Sequence, residues 1–313
     1  MVEQKEQKEQ KKQNQELLKE LRQIIVSEKI SQKELAKKLD YSQSAVNTYL
    51  NENYAGNIEE FETALSKFIE QNKNKKAYKK VSLEFAQTTV ASKFLEIAQI
   101  CQLNSEIGLC VGASGLGKTT AIRNYASTHP GVIIIDPDEK ITIRSLLKLI
   151  GKPLRLKMSN NTSCQEFTEL LVNRLKDSEY LIIIDEAENI DSSCFRTLRK
   201  IHDRCDFTCG LLFVGTERLS ANLARMQGEF SYVTNRLGYI ESLEALTLDD
   251  VKKLVNQIFP DCNSELHSLF YKLCKKNARH LFNLLKRTYD IFISSKEELN
   301  SRMVEKAFKR IAL

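Results

Sequence analysis

Residues 108–127 read GLCVGASGLGKTTAIRNYAS. Inside this stretch Gly112, Ala113, Ser114, Gly115, Leu116, Gly117, Lys118 and Thr119 fit the spacing GxxxxGK[ST] at every position, and Thr120 follows directly. The apolar run IGLCVG before it has the length of a buried strand, and the pattern from Gly117 onward spaces its apolar residues as a helix does. Each residue type has a task in such a turn. The glycines permit backbone angles that aim successive N–H groups inward as an anion nest. The helix that opens at Gly117 points its positive end at the same place. Lys118 supplies a cation for the β- and γ-phosphates of a nucleotide, and Thr119 a hydroxyl for Mg2+. This is a phosphate loop (Walker A), and its expected ligands are ATP and Mg2+.

Working outward, a second element completes the expectation. YLIIIDEAENI, residues 180–190, has the run of four apolar residues of a central parallel strand, followed by two acids (Walker B). Asp185 is placed to hold Mg2+ through water, and Glu186 to polarise an attacking water. Downstream of a phosphate loop this pair predicts hydrolysis as well as binding. The intervening and following segments alternate between short β-branched runs (GVIIID, CGLLFVGTE) and amphipathic helical patterns, which predicts a parallel sheet covered on both faces. After Leu243 only helical patterns remain. The fold class is therefore α/β: a P-loop core over 81–243, an all-helical C-terminal lid over 244–313, and an all-α domain before the core.

That N-terminal region divides further. Residues 1–16 are Lys/Glu/Gln-rich low complexity, expected to be disordered. Within 17–71, Ser31 followed by Glu34 forms a capping-box pattern opening a short helix, and Ser42 opens a second after a turn at Asp40-Tyr41. Two short helices joined this tightly resemble the helix-turn-helix of phage repressors over about 40 residues. In that motif the start of the second helix reaches DNA, which assigns Gln43, Ser44, Asn47 and Thr48 as candidate contacts. The stretch NKNKKAYKK, 72–80, reads as a basic linker.

Charge and composition bound the setting. Residues 1–80 carry 16 Lys+Arg against 13 Asp+Glu (+3), residues 251–313 carry 13 against 6 (+7), and the middle the remaining 18 against 22 (−4). Basic flanks around an acidic centre point to polyanion contact at the ends. No apolar run approaches the roughly 18 to 20 residues that span a bilayer, and the first residues lack the pattern of a signal peptide. The eight cysteines include no CxxC pair. A cytoplasmic protein with reduced thiols and no membrane partner is expected. His202, Cys205 and Cys209 lie close in sequence but straddle a helix end and a strand start, so zinc is a weak reading.

Three further residues gain meaning from their order behind the two strong motifs. Thr216 ends the strand LLFVGTE, Arg236 stands in FSYVTNRLGYI ahead of an apolar turn, and Arg279 opens a helix in KKNARHLFNLL. Phosphate loop, acidic strand end, polar strand end and two arginines in this order resemble the AAA+ ATPase superfamily. The resemblance implies that Thr216 senses the γ-phosphate (sensor 1), that Arg236 completes a neighbouring subunit's site as an arginine finger, and that Arg279 is the lid arginine (sensor 2). Arg225, in NLARMQGEF, is a rival to Arg236.

Within the superfamily the segment TLRKIHDRCDFTCGLLFVGTERL is similar to the transposition- and secretion-associated subgroup. With the N-terminal helices and basic C-terminus, the whole length resembles the family of ATP-dependent target-DNA activators of Mu-like transposing phages. That resemblance implies head-to-tail helical filaments on double-stranded DNA with little sequence choice, delivery of that DNA to a transposase, and slow, DNA-stimulated hydrolysis that dissolves the filament. It favours Lys140 and Arg144, in DPDEKITIR, as contacts in the filament bore. An ATP-gated helix-turn-helix regulator and a secretion-associated ATPase are the alternative readings.

Overall fold

The computed structural model describes residues 17–27, 30–51, 53–77, 81–137, 140–176, 178–225, 237–295 and 297–311. The chain forms two compact units, Met1–Val81 and Ser82–Leu313. The low-complexity segment 1–16 and Arg236 lie outside the described residues.

The first unit is helical: α1 (residues 17–27), α2 (Gln32–Leu39), α3 (Gln43–Leu50) and α4 (Ile58–Ala77). Local chemistry sets its corners. The Ser31 side chain accepts from the Glu34 N–H, and the Glu34 carboxylate accepts from the Ser31 N–H at 3.0 Å, the reciprocal capping box. Those bonds also hold the Glu34 carboxyl below its usual pKa. Asp40 ends α2 in the left-handed region at φ 60°, where a short polar side chain is tolerated, and Ser42 caps α3 by accepting from the Ala45 N–H at 3.1 Å. Leu21, Leu35, Val46, Phe61 and Leu65 are fully buried in the unit's core, and the Tyr49 and Phe61 rings lie 4.5 Å apart. One expectation changes: α4 runs to Ala77, through most of the segment read as a linker. The composition of 72–77, which holds neither Gly nor Pro, is compatible with a helix as well as with a loop.

The second unit begins with α5 (Thr89–Leu103) and then builds a five-stranded sheet. Its strands are β1 (Ile107–Gly112), β2 (Val132–Ile135), β3 (Leu181–Ile184), β4 (Gly210–Gly215) and β5 (Leu237–Leu243), in the order β2-β3-β4-β1-β5. All pairings are parallel. Between the strands run α6 (Lys118–Thr128), α7 (Ile143–Gly151), α8 (Cys164–Leu175), α9 (Ser192–Arg204) and α10 (Glu217–Arg225). The run that looked like an apolar turn beyond Arg236 is the edge strand β5. Its sequence LGYIESL interrupts the apolar pattern with Gly238 and Glu241, as an edge strand with an exposed face permits.

Side-chain alternation on the strands divides the interior into two cores. Ile182, Ile184, Leu211 and Phe213 face α7–α10, while Ile183, Leu212 and Val214 face α5 and α6. The four C-terminal helices are α11 (Leu248–Asn256), α12 (Ser264–Leu273), α13 (Ala278–Ser295) and α14 (Ser301–Phe308). They are not independent: Val251, Phe270, Leu281, Leu285 and Val304 extend the α5–α6 core. Asp250 reinforces the junction. Its carboxylate caps its own helix, accepting from the Thr247 N–H at 3.0 Å, and accepts from the Thr89 N–H of α5 at 2.8 Å. Burial raises its pKa, but these donors outweigh burial and hold the carboxyl below its usual value.

Candidate nucleotide site

The carboxyl ends of β1, β3 and β4 are neighbours in the sheet, so the loops that follow them converge on one edge, where open α/β sheets bind ligands. The loop after β1 is the phosphate loop. Gly115 and Gly117 have φ of 80° and 100°, angles that side chains strongly disfavour, which explains the glycines of the motif. Helix α6 starts at Lys118, one residue later than the sequence pattern suggested, with Gly117 as its N-cap. Lys118 is only 9% exposed. Its ammonium donates to the carbonyl oxygens of Gly112 (2.6 Å) and Ala113 (2.9 Å), so it lies folded against the loop it is meant to serve. Burial pulls its pKa below the ordinary lysine value, against the opposing pull of Asp185 and Glu188.

Thr119 meets the end of β3. Its hydroxyl donates to Asp185 Oδ2 at 2.7 Å, and Asp185 is 2% exposed, with its own N–H donating to the Ile135 carbonyl of β2. A hydroxyl and a buried carboxylate at hydrogen-bond distance beside the phosphate loop are hard oxygen donors. They fit a Mg2+ ion that keeps waters and takes its remaining ligands from a nucleotide. Glu186 follows in the left-handed region at φ 46°, which turns its side chain out of the strand direction into the exposed edge. Its carboxylate accepts from Asn189 Nδ2 at 3.1 Å, and the same amide donates to the Pro137 carbonyl at 3.2 Å.

The third strand end meets Glu188, a residue of the β3 loop that the sequence reading missed. Thr216 sits just past β4, and its hydroxyl donates to Glu188 Oε1 at 2.7 Å while its N–H points to the same carboxylate. Glu188 thus ties the candidate sensor strand to the β3 loop and adds a carboxylate beside Lys118. Its partner lies 28 residues away, and a DEAE run by itself does not say which acid faces which strand.

The fourth side comes from the lid. Arg279 is exposed in the first turn of α13, and its N–H donates to the Gly115 carbonyl at 3.0 Å, which sets that helix start directly on the phosphate loop. Thr120 is exposed on α6. Arg225, exposed at the end of α10, is the rival to Arg236 within the described residues.

The candidate DNA contacts fall into two groups. Gln43, Ser44, Asn47 and Thr48 are all exposed on α3, and Lys140 is exposed between β2 and α7. Arg144 is differently engaged. Its guanidinium donates to the carbonyls of Ser159 (2.6 Å), Thr162 (2.9 Å) and Asn160 (3.1 Å), so it clamps the loop ahead of α8. His202, of the weak zinc reading, places Nε2 2.9 Å from the Ser105 carbonyl oxygen, and Cys205 and Cys209 are buried in the α7–α10 core.

Residues 102–223, from the end of α5 through β4 and most of α10, match the family model described as "AAA domain". The ATP-dependent target DNA activator B of Escherichia phage Mu is 23% identical over 301 residues, 94% of each chain. The Mu-like prophage FluMu DNA transposition protein B of Haemophilus influenzae is 26% identical over 218 residues, covering 69% of this chain and 73% of the relative. Among solved structures, the ADP form of the Aeropyrum pernix ORC2 protein superposes with a TM-score of 0.55 at 16% identity, over 75% of this chain and 72% of that one. CDC6p of Pyrobaculum aerophilum gives 0.56 at 15% identity, over 76% and 71%. These two similarities concern the fold alone. The second unit has an AAA-type P-loop fold, and the chain resembles the target DNA activator B of Mu-like transposing phages.

Proposed function

We propose that the chain is an ATPase that binds target DNA in an ATP-dependent manner and activates it for transposition. The observation that carries this reading is the match to the phage Mu activator along 94% of both chains, combined with a phosphate loop and acidic strand end whose side chains already converge. ATP would lie along the loop from Gly112 to Thr120, with Lys118 on the β- and γ-phosphates and Arg279 closing from the lid. Thr119 and Asp185 would hold Mg2+, which would neutralise phosphate oxygens. Glu186 would orient and deprotonate the attacking water, and Thr216, held by Glu188, would mark the presence of the γ-phosphate.

Assembly supplies the remaining parts. Arg236, or Arg225, would reach a neighbouring subunit's nucleotide, so that bound ATP joins subunits head to tail. An interface of that kind that does not close on itself grows as a helix. DNA would be held mainly through its phosphates, with Lys140 and the start of α3 as contacts and Arg144 acting through the loop it clamps. A transposase would receive the DNA from the filament, and slow, DNA-stimulated hydrolysis would release it. This places the protein in the cytoplasm of a bacterial host.

Electron microscopy of the purified chain on random-sequence duplex DNA, with and without ATP, tests the proposal. Nucleotide-dependent helical filaments are the expected result. Discrete particles bound at one sequence only would instead favour an ATP-gated regulator that reads an operator through α3.

A further inference from the structure

Each carbonyl oxygen in the loop from Gly112 to Ala113, Ser114 and Gly115 has a donor. Lys118 takes the first two. The other two are taken from the lid: Asn277 Nδ2 donates to the Ser114 carbonyl at 2.7 Å, and the Arg279 N–H donates to that of Gly115 at 3.0 Å. A trans peptide sets its N–H opposite its carbonyl. Holding the Ser114 and Gly115 carbonyls toward the lid therefore turns the N–H groups of Gly115 and Leu116 the other way, as an anion nest requires.

The Asn277 carboxamide uses both of its ends. While its nitrogen reaches the loop, Oδ1 accepts from the His280 N–H (3.2 Å) and shares the Arg279 N–H (3.0 Å) with the Gly115 carbonyl, which makes Asn277 the N-cap of α13. The backbone leading into it is held at a cost. Lys275 and Lys276 both adopt left-handed angles, φ 51° and 58°, although neither is glycine or asparagine. The Lys276 carbonyl is in turn fixed by the Leu246 N–H at 3.0 Å. Gly115 has no room to spare: a Cβ there would stand 2.6 Å from Asn277 Oδ1.

We infer that Asn277 is a positioning residue of the nucleotide site: its carboxamide locks the start of lid helix α13 to the phosphate loop, so that seating the lid and shaping the loop are one event. The inference rests on the nucleotide reading above and assigns the site a means of coupling ATP binding to the lid. Only an amide does both jobs. Aspartate and serine cap a helix as well as asparagine, but aspartate offers no donor to Ser114 and serine does not reach it.

The test is a titration of the full chain with a fluorescent ATP analogue, alongside thermal melting without nucleotide, for the parent and for N277D and N277S. Both variants should melt within about 2 °C of the parent, because the cap survives. Both should bind ATP about tenfold more weakly, the loss of one hydrogen bond that orients the loop. Parent-like affinity in N277S overturns the inference, even if N277D is weakened, because charge repulsion alone then explains the aspartate. Weakening that merely tracks a lowered melting temperature overturns it too. If the parent itself binds no ATP, the nucleotide reading has failed and takes the inference with it. A parent that binds beside two unaffected variants sinks only the role of Asn277.

Discussion

The phosphate loop and the face of α3 both carry residues assigned to polyanions, yet they are built in opposite ways. In the loop, Lys118 is buried, Asp185 is buried, and their partners arrive from β1, β3, α6 and the lid. On α3 the candidate residues are exposed and their side-chain bonds are local: Thr48 Oγ1 donates to the Ser44 and Ala45 carbonyls, and Asn51 Nδ2 donates to Asn47 Oδ1. The first site is ordered by folding, so its ligand would meet a loop already in shape, with Lys118 to be released from the Gly112 and Ala113 carbonyls. The second presents side chains that a partner would still have to fix, so a smaller contribution to affinity is expected of it. Mutational effects should accordingly be steep in the loop and shallow on α3.

The largest expected effect is at Lys118. K118A should weaken ATP binding by about a hundredfold or more, the loss of charge-assisted contacts in a buried setting, measured by calorimetric titration. ATP-dependent DNA binding should vanish with it; its survival would break the proposed switch. Next comes E186Q, for which turnover should fall by about a hundredfold with ATP affinity kept within about threefold, as removal of a general base predicts. Single-turnover phosphate release checks it, and parent-like rates would shift the role of base toward Glu188. T216A should cost about tenfold in turnover, because the hydroxyl proposed to sense the γ-phosphate is lost while the strand stays in place.

The buried junction also gives a pH-dependent contrast. Asp250 has a folded-state pKa below its unfolded value, so its stabilising effect is complete above the usual aspartate pKa near ~3.9 and is lost as pH falls through the lowered value. D250N should therefore lower stability by about 2 kcal/mol at neutral pH. The gap from the parent should narrow in acid denaturation series below pH ~4. A constant gap across that range would show that the charge on Asp250 is not what holds α5 to α11. The smallest effect is expected on α3. The double variant Q43A/N47A should weaken binding to random-sequence DNA only a few-fold in gel shifts at fixed salt, since phosphates dominate that affinity. A collapse of binding would mean that α3 reads bases and would favour the operator-binding alternative.

Much of this was legible in the chain because it is written in contiguous residues. The phosphate loop, the run ending in Asp185 and Glu186, and the caps at Ser31 and Ser42 depend on neighbours within a few positions, where backbone geometry and side-chain reach are set by spacing alone. The strand β5 was harder, since an edge strand exposes one side and dilutes the apolar signal. The arginine expected to work in trans, Arg236, falls outside the described residues.

Other features depend on meetings between distant segments. Glu188 meets Thr216 because β3 and β4 are adjacent in the sheet, and Arg144 spends its charge on a loop folded back beside α7. Asn277 reaches Ser114 across 163 residues because the lid shares the α5–α6 core. The identity of the phosphate loop is legible in eight contiguous residues, because its chemistry is local. Which groups hold that loop in shape is set by the fold, because hydrogen-bond partners far apart in the chain are chosen by the packing of the elements that carry them.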